Sequence, residues 1–514
     1  MAGFLGLFLL YLPAAILIYL TSLVVYRRLL HPLSKIPGPS WAAITYLYSF
    51  NYNVIGPGSR FYLQIEKLHK QYGPVVRIGP NEIHLSDPEN YEKIYYVGSK
   101  FGKDPIFYGG LGLSASAFGT PSNELHRVRR AALQPLFTRK QVLDLEDVVQ
   151  SKVGLLLQRI DEDLKQGKPV DLHHGFRAIS VDVVTDYAFG KCYDLLKSPD
   201  LGSWFCSMIR DLAPRIWILQ QFPFVLPLSK SIPPALAKRM SANLAAFLVV
   251  KDNCEDEIRK IKKRVEAQEK MPARKTIFHQ LLSPNATDGH VVPSVDDLID
   301  EAFTFIGAAT DTTGGALAVA TYHAVSNAAI YQSLVAELKK AFPNPNAKLD
   351  FQTLERLPYL VFNPSLGESI TAVIKEGLRL SFGVPGRLPR VTPEGGAVFN
   401  GYSVPEGTVV GMSSWMMHRD PSIFPSPESF DPDRWTNPAT AGKLEKYLVA
   451  FGKGGRQCLG MTLAYSELYI TLGTIFRHFE NLKACEMSSE DWEFDDFFGL
   501  YIPESARKFH VEAA

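Results

Sequence analysis

The sequence predicts a fold that is mainly α with a minor β-sheet, and therefore of the α+β class. Long amphipathic helical patterns dominate residues 140–340, whereas β-like runs are short and occur at residues 74–86 and 387–413. No low-complexity spacer or internal repeat divides the chain after residue 40. One large folded body is therefore expected after an N-terminal segment of different character.

That N-terminal segment, residues 1–26, has the composition of a membrane-spanning helix. It carries no charged side chain, and about 20 apolar residues suffice for a helix to cross the hydrocarbon core of a bilayer. Basic residues follow the apolar run at Arg27, Arg28 and Lys35, whereas in a cleaved signal peptide they would precede it. The positive-inside rule then predicts a single-pass anchor with the body in the cytosol.

Residues 27–40 are predicted to form a semi-rigid tether. Pro32, Pro37 and Pro39 prevent a continuous helix and stiffen the chain. The predicted organisation is thus an anchor at 1–26, a proline-rich tether at 27–40 and a single large domain at 41–514.

The charge balance argues against nucleic-acid binding. The 514 residues include 54 Lys and Arg and 53 Asp and Glu, for a formal net charge of +1. The five cysteines are far apart and form no C-x-x-C pair, which argues against a disulfide framework or structural zinc and favours a reducing compartment. They are Cys192, Cys206, Cys254, Cys458 and Cys485.

The clearest helix is predicted to begin at Ser294. This serine precedes Asp297 by three positions, as in a capping box. The helical pattern continues to residue 329, and its middle is nearly apolar on all sides. A buried helix is therefore expected here.

A glycine-rich segment, FGKGGRQCLG at residues 451–460, holds Cys458. Most isolated cysteines are ordinary core residues. Here the four neighbouring glycines allow sharp bends and a close approach to a large flat ligand. A helical pattern follows the segment, so the sulfur is expected near a helix N-terminus, where the helix dipole favours a thiolate.

The spacing F-x-x-G-x-R-x-C-x-G is met in full by Phe451, Gly454, Arg456, Cys458 and Gly460. In this motif the chain resembles the cytochrome P-450 superfamily of haem-thiolate monooxygenases. The resemblance implies the P-450 fold, with the domain at 41–514 as its catalytic domain. It also implies that Cys458 is the axial ligand of the iron in haem b, that Arg456 pairs with a haem propionate, and that Phe451, Gly454 and Gly460 help to bind the cofactor.

Two upstream segments match the same family in order. KEGLRL supplies Glu376 and Arg379 as an E-x-x-R motif, and FDPDRW supplies Arg434. An E-x-x-R pair alone is a weak signal, since most such pairs are solvated. The resemblance implies that the three residues form a structural network that supports the cysteine loop.

AATDTT, at residues 308–313, resembles the A/G-G-x-D/E-T-T motif of the family's oxygen-binding helix, with Ala309 where glycine is common. The small residues are expected to leave space for oxygen and substrate. Thr312 is expected to bond the carbonyl four residues back, and Asp311 to offer a route for protons, which makes these two the predicted catalytic residues. The alternative is a solvated Asp311 and an ordinary helix hydroxyl at Thr312.

Further cations are predicted for the haem propionates. LHRVRR resembles the family's W-x-x-x-R helix, with His126 in place of tryptophan and Arg130 four positions on, and an imidazole N–H can still donate to a carboxylate. Arg390 occupies another propionate position. Arg127 and Arg129 are predicted to lie on a basic surface that faces a reductase.

One segment departs from the family pattern. Residues 361–370 lie where the family has almost nothing, and Pro364 and Gly367 indicate a loop. A surface insertion and a fault in the gene model are both open. Either alternative affects where the helix before Glu376 begins.

The substrate pocket is predicted from regional resemblance. Residues 104–119 and 384–387, with Phe303 and Ala308, are expected to line it, and their apolar content favours a lipophilic substrate. The apolar tract at residues 214–234 is expected to form a lid that dips into the bilayer, with core packing as the alternative.

The chain looks most similar to fungal secondary-metabolite members such as trichodiene oxygenase in two segments, HPLSKIPGP and FYGGLGLSASAFGTPSNELHRVRR. The resemblance implies a monooxygenase of the endoplasmic reticulum membrane that hydroxylates or epoxidises a lipophilic small molecule, a terpenoid or polyketide intermediate. It also implies O2 and NADPH-derived electrons from an NADPH-cytochrome reductase, with a cytochrome b-type donor as a further candidate.

Two alternatives use the same cofactor. An isomerase or dehydratase would need no external electrons, and Asp311 and Thr312 argue against it because such chemistry needs no proton relay. A haem-binding sensor without turnover would have a blocked distal face, whereas the small residues at 307–309 leave that face open.

Overall fold

The computed structural model describes the chain except for residues 1, 57, 270–273, 285, 288, 346, 358–369 and 438. It confirms a helix-rich α+β fold with small sheets. Of the departing segment at 361–370, only Ile370 is described, and the choice between an insertion and a gene-model fault otherwise lies outside the described residues.

The N-terminal segment is a helix, Ala2–Val25, that continues through a π-helical turn at Tyr26–Leu30. Among the described residues, Tyr11–Leu30 is the only stretch long and apolar enough to span a membrane, with a mean hydropathy of 1.4. The chain then packs on the body, because Leu33 and Ile36 are buried in one cluster with residues of the main sheet. The predicted tether is therefore docked along part of its length.

Helices make up most of the body, and their amphipathic faces enclose one large apolar core. Beyond the N-terminal helix, the described α-helices are Ser40–Ile44, Leu47–Phe50, Phe61–Tyr72, Tyr91–Ile94, Pro105–Gly109, Asn123–Leu133, Arg139–Leu143, Glu146–Lys165, Leu172–Phe189, Ser203–Leu212, Arg215–Gln221, Val225–Lys230, Pro234–Met240, Ala242–Glu266, Ile277–Leu282, Val295–Val325, Ala328–Ala341, Phe351–Leu354, Ile370–Ser381, Ser414–His418, Asp433–Thr436, Ala441–Glu445 and Met461–His478.

The strands are short, as the sequence predicts. They are β1 Val75–Gly79, β2 Glu82–Leu85, β3 Gly102–Lys103, β4 Val170–Asp171, β5 Arg390–Val391, β6 Ala397–Phe399, β7 Tyr402–Val404, β8 Val409–Gly411, β9 Leu482–Ala484, β10 Asp495–Asp496, β11 Leu500–Tyr501 and β12 His510–Ala513. The main sheet has the order β1-β2-β8-β5-β3, and a second sheet has the order β4-β12-β9. Only β2 and β8 pair in parallel within the main sheet.

The Val295–Val325 helix runs through the centre of the body. The predicted cap is confirmed, since the Ser294 side chain accepts a hydrogen bond from the backbone N–H of Asp297 at 3.1 Å. This helix packs on Leu172–Phe189, on Ile370–Ser381 and on Met461–His478. It therefore meets the helices that carry the predicted E-x-x-R motif and follow the cysteine loop.

Candidate functional site

The cysteine loop is bent at two glycines that adopt left-handed backbone angles. Gly452 has φ +63° and Gly454 has φ +74°, and a Cβ on Gly454 would lie 2.5 Å from the carbonyl oxygen of Tyr96. The loop closes through the backbone N–H of Cys458, which donates to the carbonyl of Phe451 at 2.9 Å. The helix Met461–His478 begins directly after Gly460, as the sequence predicts.

Cys458 is exposed, yet protein atoms surround it closely enough that burial raises the pKa of its thiol. The backbone N–H of Gly460 and the charge of Arg130 act in the opposite direction. Cys458 is thus accessible, although protein atoms enclose much of its surroundings. The sequence predicts that the helix N-terminus favours a thiolate, but in the free protein burial outweighs this effect, whereas a bound metal would deprotonate the thiol.

Glu376 is the centre of a fully buried network. It accepts from Arg379 Nε and Nη2 at 2.9 and 2.8 Å, from Arg434 Nε at 3.0 Å, and from Trp435 Nε1 at 2.8 Å. The backbone N–H of Asp431 adds a fifth donor at 2.9 Å. The structure thus brings the three predicted residues together and adds Trp435, whose place directly after Arg434 was the available sequence signal.

His418 joins this network to the cysteine loop. Its Nδ1–H donates to the carbonyl of Arg379 at 2.8 Å, and its Nε2 accepts from the backbone N–H of Val449 at 2.9 Å. Burial, followed by the charge of Arg379, lowers the pKa of His418 to about 3, so the ring is neutral and its tautomer is fixed. Val449 lies two residues before Phe451, so His418 contacts the chain just before the cysteine loop. The sequence analysis did not identify this histidine.

The central helix is buried along most of its length but exposed at Gly307 and Ala308. Among the described residues, no atom lies within 4 Å of a Cβ built on Gly307, outside its own chain neighbours and helix backbone. Thr312 Oγ1 donates to the carbonyl of Ala308 at 2.7 Å, as the sequence predicts. Because residues four apart share a helix face, the Thr312 hydroxyl lies on this open face.

Asp311 is buried and ion-paired, so the alternative of a solvated carboxylate is wrong. Arg177 Nε, on the Leu172–Phe189 helix, donates to Asp311 Oδ1 at 2.6 Å. Gly314 permits this approach, since a Cβ there would lie 2.8 Å from Arg177 Cγ. The structure therefore adds Arg177, which sequence reasoning missed, as the charged partner of Asp311.

Three of the predicted propionate cations support loops around the cysteine. Arg130 donates to the carbonyl of Gln457 at 2.8 Å, and Arg390 donates to the Tyr108 hydroxyl at 2.8 Å. Arg456 donates to the carbonyls of residues 120–122 and to the side chain of residue 123. Several donors of Arg456 are thus occupied by the protein, which the motif alone does not reveal.

His126 lies in the same cluster. Burial and the charges of Arg456, Lys103, Arg130 and Arg390 lower the pKa of His126 to about 3, so the imidazole is neutral and keeps one N–H. The mutual electrostatic effects show that the predicted cations are close together. Of the two arginines of the predicted basic surface, Arg127 is exposed, whereas Arg129 is half-buried and donates to residues 114–120.

Among the described residues, no Asp or Glu forms an ion pair with Arg130, Arg390 or Arg456. Arg390 is buried and the other two are half-buried, and a cation withdrawn from water without an anion is costly unless a ligand supplies one. A cofactor with carboxylates would supply that charge, and the accessible Cys458 would supply an iron ligand. The residues present therefore fit haem b.

The predicted pocket residues separate into two groups. Phe107, Tyr108 and Phe118 belong to an aromatic cluster with Trp217 and Phe498. Arg387 is different: its Nε is paired with Glu82 at 2.5 Å, and its guanidinium lies over two aromatic rings. Arg387 is therefore tied to the main sheet and is not a free lining residue.

The apolar tract at 214–234 also divides. Trp217 is buried and donates to the carbonyl of Asp496 at 3.0 Å, which is core packing. Phe224 and Leu228 are exposed by 66% and 64%. Core packing therefore holds for Trp217, whereas the lid that dips into the bilayer stays a prediction for the exposed part of the tract.

The fold and the site have the features of a haem-thiolate monooxygenase. The family model described as Cytochrome P450 matches residues 37–510, and the chain belongs to the cytochrome P450 family. It is therefore a haem monooxygenase that receives electrons from a redox partner and acts on a small molecule.

Fungal relatives are similar over nearly the whole chain. Cytochrome P450 monooxygenase MO6277 of Ascocoryne sarcoides is 37% identical and covers 91% of both chains. The N-acetyltryptophan 6-hydroxylase ivoC of Emericella nidulans is 35% identical over 96% of this chain and 95% of its own. The conidiogenone synthase PchP450 of Penicillium rubens is 36% identical over 90% of both.

Proposed function

We propose that the protein is a membrane-bound monooxygenase in which Cys458 binds the iron of haem b. It hydroxylates or epoxidises a lipophilic small molecule, a terpenoid or polyketide intermediate of secondary metabolism. The observation that carries the proposal is the accessible Cys458 beside a cluster of cations that have no carboxylate partner among the described residues. Relatives named as hydroxylases and as a biosynthetic synthase support the reaction type.

When bound, haem supplies the activation of O2 and the transfer of one oxygen atom to the substrate. The chain's own residues do the rest. The Glu376 network fixes the cysteine loop, and the small residues at Gly307 and Ala308 leave space for oxygen and substrate. The Thr312 hydroxyl lies on that open face and holds a proton at Oγ1, and the Asp311 carboxylate receives protons behind it.

The test is spectroscopic and needs no known substrate. The reduced, carbon monoxide-treated full chain should show the long-wavelength absorption of a thiolate haem. Cys458→Ser should abolish this absorption, and Cys485→Ser, a substitution at a half-buried cysteine outside the motif, should not. A histidine-type spectrum in the unchanged protein contradicts the proposal.

Measurements of turnover distinguish the proposed monooxygenase from an isomerase or dehydratase and from a haem-binding sensor. Extracts of fungal metabolites supply candidate substrates, and product should appear only with NADPH, a reductase and O2. Isotopically labelled O2 should place one labelled oxygen atom in the product. Product formed without NADPH would instead indicate an isomerase or dehydratase, and a haem protein that consumes no NADPH with any substrate would indicate a sensor.

We further propose that the protein lies on the endoplasmic reticulum membrane through the N-terminal anchor and an adjacent apolar surface. The helix Leu47–Phe50 contacts Arg215–Gln221, with the rings of Phe50 and Phe222 5.6 Å apart. Exposed Trp41, Phe224 and Leu228 extend this surface. Deleting residues 1–26 should weaken membrane attachment in cell fractionation, and adding Phe224→Ser with Leu228→Ser should release the body completely. Full release by the deletion alone contradicts the second contact.

A further inference from the structure

Lys103 is a buried lysine that the cysteine and E-x-x-R motifs do not include. It lies in β3, and its side chain is 5% exposed. Its Nζ donates to the carbonyl of Phe118 at 2.6 Å and lies 4.2 Å and 3.7 Å from the ring centres of Tyr108 and Phe118. The ammonium therefore has a fixed position.

The neighbours of Lys103 carry the same charge. In the antiparallel pairing of β3 and β5, Lys103 lies directly opposite Arg390. Like charges at directly paired positions destabilise a sheet. Burial, with the charges of Arg390, Arg456 and Arg130, lowers the pKa of Lys103 well below its usual value.

Among the described residues, no carboxylate pairs with Lys103 or with the three arginines around it. Three buried arginines elsewhere in the body do have one: Arg177 pairs with Asp311, Arg379 with Glu376 and Arg387 with Glu82. The cluster of Lys103, Arg130, Arg390 and Arg456 thus lacks the anion that these have. A ligand with carboxylates removes the imbalance.

We propose that Lys103 is a further cofactor-anchoring residue, whose ammonium binds a propionate carboxylate of the haem. This inference rests on the proposed function. A carboxylate of the substrate has the same chemistry, but the haem is favoured because Arg130, in the same cluster, donates to the residue directly before Cys458. Two propionates would then be shared among four cationic side chains.

The experiment measures haem release from the substrate-free full-length holoprotein to excess apomyoglobin. Lys103→Met removes the charge at similar length, and Lys103→Gln keeps a donor for the Phe118 carbonyl. Both variants should release haem roughly tenfold faster, as expected for the loss of one charge-assisted hydrogen bond. Lys100→Met, at an exposed lysine three residues earlier, should release haem at the unchanged rate.

A second arm tests the propionate itself. With haem whose propionates are esterified, the unchanged protein should release the cofactor faster, and Lys103→Met should add little. Unchanged release from both Lys103 variants, or an undiminished effect with the esterified haem, overturns the inference. A substrate carboxylate as the true partner gives the first of these results.

The two proposals fail in different ways. An unchanged protein without a thiolate-haem spectrum contradicts the proposed function. A normal spectrum with Lys103 variants that retain haem as well as the unchanged protein contradicts only the role of Lys103.

Discussion

Two buried carboxylates near the site have very different surroundings. Glu376, beside the cysteine loop, accepts five N–H donors and is fully buried. Asp311, on the central helix, has Arg177 as its charged partner and lies one residue before a threonine on the open face. Glu376 is thus held by several segments at once, whereas Asp311 has one charged partner.

The two carboxylates therefore have different proposed roles. Glu376 supports the cysteine loop, and Asp311 is one of the proposed catalytic residues. The Glu376 network fixes Arg379 and, through His418, the backbone at Val449 just before the cysteine loop. Rigidity there keeps the predicted iron ligand in place. On the central helix, Asp311 with its single arginine partner is the carboxylate to which the proposed function assigns proton transfer.

The largest expected effect comes from removing the charge at each carboxylate. Glu376→Gln leaves Arg379 and Arg434 buried without their anion and should cost about 3–5 kcal/mol of unfolding free energy, with loss of haem. Asp311→Asn should cost roughly 1–3 kcal/mol, keep the haem and lower the fraction of NADPH that yields product. Thermal unfolding and the carbon monoxide spectrum measure both effects.

A matched control is available at Glu394, which is exposed. Glu394→Gln should change the unfolding free energy by no more than about 0.5 kcal/mol. Equal losses from Glu376→Gln and Asp311→Asn, or normal coupling in Asp311→Asn, would contradict the division between support and chemistry.

An intermediate effect is expected from acid on the supporting side. Because the pKa of His418 is about 3 in the folded protein, against an ordinary value of 6.5, the unfolded chain binds the proton first as the pH falls. Its contribution to stability is complete above about pH 6.5 and is lost progressively towards pH 3. Between pH 6.5 and 5 the loss should reach about 2 kcal/mol.

The slope of the unfolding free energy against pH distinguishes the contribution of His418 from those of other buried histidines. His418→Gln should be less stable at pH 7 but show a flatter decline of unfolding free energy from pH 6.5 to 5. Parallel pH curves for His418→Gln and the unchanged protein would show that His418 is not held neutral.

The sequence predicted those parts of the site that depend on local spacing. The bends at Gly452 and Gly454, the helix after Gly460 and the i, i+3 pair of Glu376 and Arg379 are all set within a few residues. The small strands and the Ser294 cap are local as well. Such features can be predicted from short-range patterns, because the residues that determine them are neighbours in the sequence.

The missed residues depend on contacts between distant segments. Arg177 meets Asp311 across 134 positions, and Arg387 meets Glu82 across 305. Lys103 reaches the cation cluster through the pairing of β3 with β5. The spacing of residues in one sequence does not show which distant charges pair with each other. The sequence analysis therefore placed Arg387 in the pocket and gave Lys103 no role.

The smallest expected change in stability comes from replacing either of two threonines. The same pair provides the sharpest test of the open helix face. Thr310 and Thr312 each donate to the carbonyl four residues back at 2.7 Å. Thr310 is fully buried, whereas Thr312 lies on the face of Ala308. Replacing either by alanine removes the same bond, which costs about 1 kcal/mol. Only Thr312→Ala should raise the peroxide released per NADPH several-fold, because only its hydroxyl can hold a proton where oxygen binds. If Thr310→Ala releases as much peroxide, helix packing rather than the Thr312 hydroxyl controls coupling.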